Sequence, residues 1–135
     1  MKVVFLADSE GGINVFPELI GRLKREIADL ETEEFFVPVK EDLPKKAMDL
    51  AQEADLVFAF LLCPERNARV DMVVSKLIDV ELKTGISIVK AVEESEIFGL
   101  ESEDELDMEK EAIAEKWSAF LVSLLFHPEE YVPKK

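Results

Sequence analysis

The run Leu-Val-Phe-Ala-Phe-Leu-Leu at residues 56–62 constrains the fold of this chain more than any other segment. Its apolar residues do not alternate with polar ones, which is typical of a strand buried on both faces, as in a parallel sheet. Together with Cys63 the run covers eight residues, whereas a helix that crosses a bilayer needs about 20. We therefore expect a central strand of an α/β fold here.

Strand-like and helix-like segments alternate along the rest of the chain. Unbroken apolar runs predict strands, and apolar residues spaced three and four apart predict helices. The predicted strands are residues 3–7, 34–37, 56–62 and 86–92, and the predicted helices are residues 17–30, about 43–50, 70–82 and a last helix from residue 103. A polar tail, residues 127–135, is predicted to follow the last helix.

Several helix boundaries carry their own signals. Pro17 and Pro44 fall in first turns, where a helix tolerates a missing backbone N–H. Asp42 is placed to cap the second helix, and Gly85 takes the usual position beyond the end of the third. The sequence Ser-Glu-Asp-Glu at residues 102–105 is a capping box for the last helix.

The alternation of four strands with four helices predicts the fold class. We expect a single α/β domain over residues 1–135, a three-layer αβα sandwich around a four-stranded parallel sheet. The flavodoxin-like strand order 2-1-3-4 is the most economical arrangement. In that order the loops after residues 7, 37 and 62 lie close together, at the sheet edge where open α/β folds bind ligands.

Composition excludes several classes of function. The formal net charge of −14 argues against a nucleic-acid partner, because binding phosphates requires a basic face. No membrane span or signal peptide is predicted. The single cysteine, Cys63, allows no internal disulfide, which fits a cytoplasmic protein. A histidine-based metal cluster is excluded because the chain has a single histidine, His127. We expect His127 to be a surface or interface residue rather than a catalytic base. Carboxylate sites for Mg²⁺ are not excluded.

Polar residues of the first two predicted loops are candidate ligand contacts, with simpler alternatives beside them. The loop after the first strand holds Asp8, Ser9 and a pair of glycines. That pair lacks the spacing of a nucleotide-binding fingerprint, so a flexible turn is the simpler interpretation. For Asp42 in the second loop, a helix cap is a better interpretation than a ligand contact.

Cys63, which follows a strongly apolar strand, is more readily a packed thiol than a nucleophile.

The third loop brings cations to a helix N-terminus. Arg66 and Arg69 stand out in a chain with a large acidic excess, and they could hold a carbonyl-rich or anionic ligand. The equally good alternative is that they are solvated helix-face arginines paired with Glu65 or Asp71.

Residues 37–44, Val-Pro-Val-Lys-Glu-Asp-Leu-Pro, resemble the Val-Pro-Gly-x-x-(Glu/Asp)-x-Pro turn of the lumazine synthase superfamily, which includes archaeal riboflavin synthase. Further segments are similar to that enzyme's third strand, third loop, fourth strand and end of the last helix; they are residues 54–59, 62–66 with Asp71, 88–92 and 124–129. The matches occur in chain order and cover most of residues 1–131.

The resemblance implies a riboflavin synthase-like transferase of riboflavin biosynthesis. Such an enzyme dismutates two molecules of 6,7-dimethyl-8-ribityllumazine to riboflavin and a pyrimidine. The resemblance also implies a homo-oligomer, a pentamer or a multiple of it, and no certain cofactor, with Mg²⁺ as the one to test. It makes Arg66 and Asp71 the candidate catalytic residues. The candidate substrate-binding residues are Asp8, Ser9, Pro38, Val39, Lys40, Asp42, Pro64 and Glu65.

The chain also departs from the family pattern. Val39 stands where the second turn of the family has glycine, and the third loop is one residue longer. The Gly-x-Thr-x-His segment and the aromatic residue after the first strand, both typical of lumazine synthases proper, are absent. Three alternatives therefore stay open: a non-catalytic flavin- or lumazine-binding paralogue, a lumazine synthase-like protein, and a purely structural α/β interaction module.

Overall fold

The computed structural model of the protein describes residues 1–127. Strands and helices alternate along the chain as β1 (Lys2–Asp8), α1 (Phe16–Glu26), β2 (Glu31–Val37), α2 (Leu43–Leu50), β3 (Leu56–Cys63), α3 (Ala68–Thr84), β4 (Ser87–Glu94) and α4 (Glu103–Phe126). Short 3₁₀ turns, Lys40–Asp42 and Glu96–Gly99, precede α2 and α4. The predicted tail beyond residue 127, including the end of the last matching segment, lies outside the described residues.

The four strands form one parallel sheet in the order β2-β1-β3-β4. The predicted α/β class, strand order and flavodoxin-like topology are therefore confirmed. β1 is hydrogen-bonded to β2 on one side and to β3 on the other, with Phe5 level with Phe58 and Ala7 level with Phe60. The carboxyl ends of β1 and β3 consequently reach the same edge of the sheet.

The sheet is apolar on both faces in its central strands. Every residue of β3 is buried, as its unbroken apolar run predicts. On one face α2 packs against β1 and β3 and α3 packs against β4. The core there contains Val4, Leu6, Leu43, Ala47, Leu50, Val57, Ala59, Leu61, Val70, Val73, Leu77 and Val80. On the other face the rings of Phe5 and Phe58 lie 5.6 Å apart and those of Phe58 and Phe60 lie 6.0 Å apart.

β2 differs from its prediction as a short buried strand. It begins at Glu31, three residues earlier than expected, and Phe36 is 44% exposed. The strand lies at the sheet edge and pairs only with β1, so its side chains are covered less than those of a central strand. Glu31, Glu33 and Glu34 are also exposed, and such charges discourage another strand from adding to an open edge.

The predicted helix boundaries hold with two corrections. α1 ends at Glu26 rather than at residue 30, because Ile27 adopts an extended backbone while its N–H still closes the last turn onto the carbonyl of Leu23. Asp42 occupies the predicted cap position of α2, but its side chain makes no capping hydrogen bond. Its backbone is instead part of the Lys40–Asp42 turn that leads directly into the helix.

The ends of α3 and α4 follow their sequence signals. Gly85 ends α3 with a φ of 76°, a left-handed conformation that favours glycine. Ser102 caps α4 and accepts a hydrogen bond from the N–H of Glu105, as the capping box predicts. Asn67, which the sequence did not single out, caps α3 by accepting from the N–H of Val70 at 3.0 Å.

The chain divides into two compact units, and the expectation of a single domain stays a prediction. Residues 1–13 and 31–100 form the first unit, which contains the sheet, α2 and α3. Among the described residues, the second unit consists of residues 14–30 and 101–127, with α1 and α4. In it Arg22 of α1 pairs with Glu111 of α4 at 2.8 Å, and the rings of Trp117 and Phe120 meet edge to face.

None of the helices within residues 1–127 is both long enough and apolar enough to cross a membrane.

We expect hydrogen exchange to be slowest at the amides of β1 and β3, since these strands are paired on both sides and buried. β2 and β4, at the edges, should exchange faster. Deuterium uptake resolved by mass spectrometry measures the difference. Free exchange across residues 3–7 or 56–62 would contradict the sheet order.

Candidate functional site

The loop after β1 is tied to the end of β2 by Ser9. The backbone N–H of Ser9 donates to the carbonyl of Val37 at 2.9 Å, and its hydroxyl donates to the same oxygen at 3.2 Å. Gly12 closes the loop by donating its N–H to the carbonyl of Ser9, with a φ of 67° that suits glycine. The first two predicted loops therefore meet at the carboxyl ends of β1 and β2.

A buried ion pair lies at this junction. Lys40 Nζ is 3.2 Å from Asp8 Oδ2, and the two side chains are only 9% and 7% exposed. The backbone N–H of Lys40 also donates to Glu10 Oε1 at 2.9 Å. A buried charge needs a partner, and removing one member of such a pair typically costs about 3–5 kcal/mol. The pair therefore holds the second turn, which follows β2, against the end of β1.

Arg69, in the first turn of α3, joins the third loop to the other two. Its Nη1 and Nη2 donate to Glu10 Oε2 and Oε1 at 2.9 and 2.5 Å. Its Nε and Nη2 donate to Glu41 Oε2 and Oε1, both at 2.6 Å. One guanidinium thus binds two carboxylates in a forked geometry, which is the strongest arrangement available to this pairing. We call Asp8, Glu10, Lys40, Glu41 and Arg69 the strand-end cluster.

The ion pairs of Arg69 shift the protonation of both glutamates. Hydrogen bonds from Arg69 lower the pKa of Glu41 from its ordinary value of 4.5 to about 2. The same guanidinium is the main cause of the lowered pKa of Glu10, where the N–H of Lys40 adds a further hydrogen bond. The two carboxylates in turn raise the pKa of Arg69. Both glutamates are therefore anions at neutral pH and well below it.

Phe98 nearly fills the crevice between the ends of β1 and β3. Its ring, from the Glu96–Gly99 turn, packs so closely on Gly11 that a Cβ at that position would lie 2.3 Å from a ring carbon. The remaining cavity has a volume of about 10 Å³, which is room for one water molecule. A planar ligand would therefore have to displace Phe98 or bind on the outer side of the strand-end cluster.

Arg66 and Asp71, the two candidate catalytic residues, lie together. Arg66 Nε is 2.5 Å from Asp71 Oδ1, and the side chains are 46% and 57% exposed. Within residues 1–127 no hydrogen bond connects this pair to the strand-end cluster. An exposed ion pair contributes only about 0–1 kcal/mol, so the guanidinium can exchange Asp71 for another acceptor at little cost.

The other candidate substrate-binding residues divide into two groups. Asp8, Ser9 and Lys40 are brought together at the junction of the first two loops. The exposed residues around the second and third loops are Pro38, Val39, Asp42, Pro64 and Glu65. Val39 has an extended backbone, with φ −135° and ψ 160°, which any residue can adopt. The glycine of the family pattern is therefore not needed at this turn for its conformation.

Cys63 is a packed thiol. It is 2% exposed, and its Sγ lies 3.7 Å from the carbonyl oxygen of Glu93. Burial is the main cause of its raised pKa, which keeps the sulfur protonated and poorly nucleophilic.

Sequence reasoning gave too little weight to four residues of this region. Neither Glu10 nor Glu41 had a predicted role, and the partners expected for Arg69 were Glu65 or Asp71 rather than these two glutamates. The signal for Arg69 was its place in the first turn of a helix that follows a strand end. Phe98 had no predicted role, and its sequence signal is that it is the one aromatic residue in the acidic segment 93–101.

Within residues 1–127, no three side chains of His, Cys, Asp or Glu are grouped so as to hold a metal ion. The carboxylates of Glu10 and Glu41 both face Arg69, and this arrangement does not fit a cation.

Comparison with protein-family models and with curated proteins finds no match to this chain.

We expect Arg69→Met to raise the pKa of Glu41 from about 2 towards its ordinary value of 4.5. Because the carboxylate pKa is depressed in the folded protein, the stabilisation by Arg69 is complete above about pH 4.5 and is lost as the pH falls towards 2. NMR titration of the glutamate side chains measures the shift. Arg25→Met, at an exposed arginine of α1, is the control; an unchanged pKa of Glu41 in Arg69→Met would contradict the ion-pair assignment.

Proposed function

We propose that this protein is a riboflavin synthase-like transferase that binds 6,7-dimethyl-8-ribityllumazine at the strand-end region. One observation supports this best: the loops after β1, β2 and β3 converge, held together by the contacts of Arg69 with Glu10 and Glu41. These are the loops that carry the family-like turn at residues 37–44 and the third-loop motif. Convergence at the carboxyl ends of parallel strands is where α/β folds bind ligands.

The reaction asks little of protein side chains. One lumazine gives a four-carbon unit to the other, which yields riboflavin and a pyrimidine. The C7 methyl group of the substrate is acidic because the conjugated ring stabilises its anion. Holding two rings face to face could supply much of the acceleration, since well-oriented reactants avoid a cost of about 7–11 kcal/mol. The strand-end cluster contains neither cysteine nor histidine, which is compatible with this chemistry.

Arg66 is our first choice for direct contact with the substrate. Its guanidinium is 46% exposed, and within residues 1–127 it is held only by the exposed carboxylate of Asp71. On binding, it would donate to the pyrimidine carbonyls of the ring and stabilise the charge that develops when the methyl proton leaves. Arg69 is less suited to this role because two carboxylates already occupy its donors.

A site shared between subunits is part of the proposal. The cavity of about 10 Å³ beside Phe98 encloses no ligand of this size, so a neighbouring subunit would supply the missing surface. The resemblance favours a homo-oligomer, a pentamer or a multiple of it.

A non-catalytic flavin- or lumazine-binding paralogue is the second candidate. The observation that favours it is the direct pairing of Arg66 with Asp71. In this pair the two candidate catalytic side chains bind each other rather than facing a position for the substrate.

Incubation of the purified protein with dimethylribityllumazine, with and without Mg²⁺, separates these candidates. Riboflavin fluorescence that grows with time supports the transferase, and binding without turnover supports the paralogue. Neither turnover nor binding of lumazine or riboflavin would dismiss both.

We expect Arg66→Ala to weaken ligand binding or turnover about 10- to 150-fold, the loss of one charge-assisted hydrogen bond of about 1.5–3 kcal/mol. The thermal midpoint should hardly move, because an exposed arginine usually contributes within about 0.5 kcal/mol. Arg25→Ala is the matched control. Unchanged ligand affinity with a lowered midpoint in Arg66→Ala would make this arginine a structural partner of Asp71 only.

A further inference from the structure

A groove between α2 and α3 borders the strand-end cluster, with which it shares Glu41. Its volume is about 550 Å³. Its apolar lining includes Met48 and Met72, which are 37% and 50% exposed. Methionine is flexible and polarizable, and surfaces rich in it adapt to a bound partner. Exposed apolar side chains that line a groove of this size favour a binding surface over an ordinary patch of protein surface.

The rim of the groove is basic in a strongly acidic chain. Lys45, Lys76 and Lys83 line it, together with Glu41 and Asp79. Glu41 is already bound by Arg69, and none of the three lysines forms an ion pair with another residue of the part of the chain that the structure describes. Lys76 and Lys83 are seven residues apart on α3, which corresponds to about 10 Å along a helix. An occupant that satisfies this rim is acidic and elongated.

The first turns of α4 have the complementary chemistry. Asp107 and Met108 lie three and four residues after Asp104, so both share a face of the helix with it. Met108 is 73% exposed, and neither aspartate forms an ion pair within residues 1–127. An acid in the first turn compensates the helix dipole, but Asp107 and Met108 lie beyond that turn and have no such role.

We propose that the acidic face of α4 in one copy of this chain docks in the α2–α3 groove of a second copy. Met108 packs against the methionines of the groove, and the aspartates pair with the lysines of its rim. The two surfaces differ, so the contact is heterologous and each copy can bind a further copy in the same way. The copies close into a ring if the rotation between neighbouring copies is a whole fraction of a full turn. This inference does not depend on the proposed enzymatic activity.

Charge exchange across the contact is the test. The variant Lys76→Glu/Lys83→Glu makes the groove acidic, and Asp104→Lys/Asp107→Lys makes the helix basic. Each should weaken self-association at least about 100-fold, because like charges then face each other across the interface. The variant that carries all four substitutions restores opposite charges and should assemble again. Light scattering coupled to size exclusion measures the mass of each.

Two further variants test whether the effects are specific to the proposed contact. Met108→Ser removes the apolar contact without changing any charge, and it should also weaken assembly. Lys24→Glu/Arg25→Glu, on α1, makes the same charge change outside the groove and should assemble like the wild type. Circular dichroism verifies that every variant is folded.

Loss of assembly in both reversed variants and its return in the fourfold variant would establish the contact. A wild-type protein that stays monomeric would overturn the proposal. So would a folded reversed variant that keeps the wild-type mass, or a folded fourfold variant that stays monomeric.

Discussion

The parallel pairing of β1 with both β2 and β3 is the constraint on which the rest of the first unit depends. It brings the ends of three strands to one edge of the sheet. The chain that leaves each strand must then turn at the same edge. The polar contacts of Ser9, Lys40 and Arg69 bridge these turns. Burial of the strands supplies the driving force for folding, and the polar contacts select how the loops lie on the sheet.

The few cations of this acidic chain have different roles. Lys40 is buried and neutralises Asp8, and Arg69 is bound by two glutamates. Both therefore hold loops together and are poorly placed to bind a ligand. Arg66 is more exposed, and among the described residues its one ion-pair partner is the exposed carboxylate of Asp71. The lysines along the α2–α3 groove lack ion-pair partners within residues 1–127, which makes that groove the place where an acidic surface is best accommodated.

Some of the candidate site was predictable from local sequence. A turn at residues 38–42 between a strand and a proline-initiated helix points to the strand end, and Asp8 and Ser9 follow the first strand directly. The burial of Lys40 was not predictable, because a lysine in a turn is usually exposed and the ion pair that compensates its charge comes from Asp8, in a different loop. The same holds for Phe98, whose contact with Gly11 joins residues far apart in the chain.

The sequence by itself determined the alternation of strands and helices, the buried central strands and most helix ends, because apolar spacing and capping are local properties. The net charge of −14 also predicts that nucleic acid is not a partner, because binding phosphates requires a basic face. Only the tertiary structure decided which charges meet. Glu10, Glu41 and Arg69 come from the loop after β1, the turn before α2 and the first turn of α3, and no pattern within one segment encodes their distances. The same reason explains the open edge of β2, since exposure of a strand depends on its neighbours in the sheet rather than on its own residues.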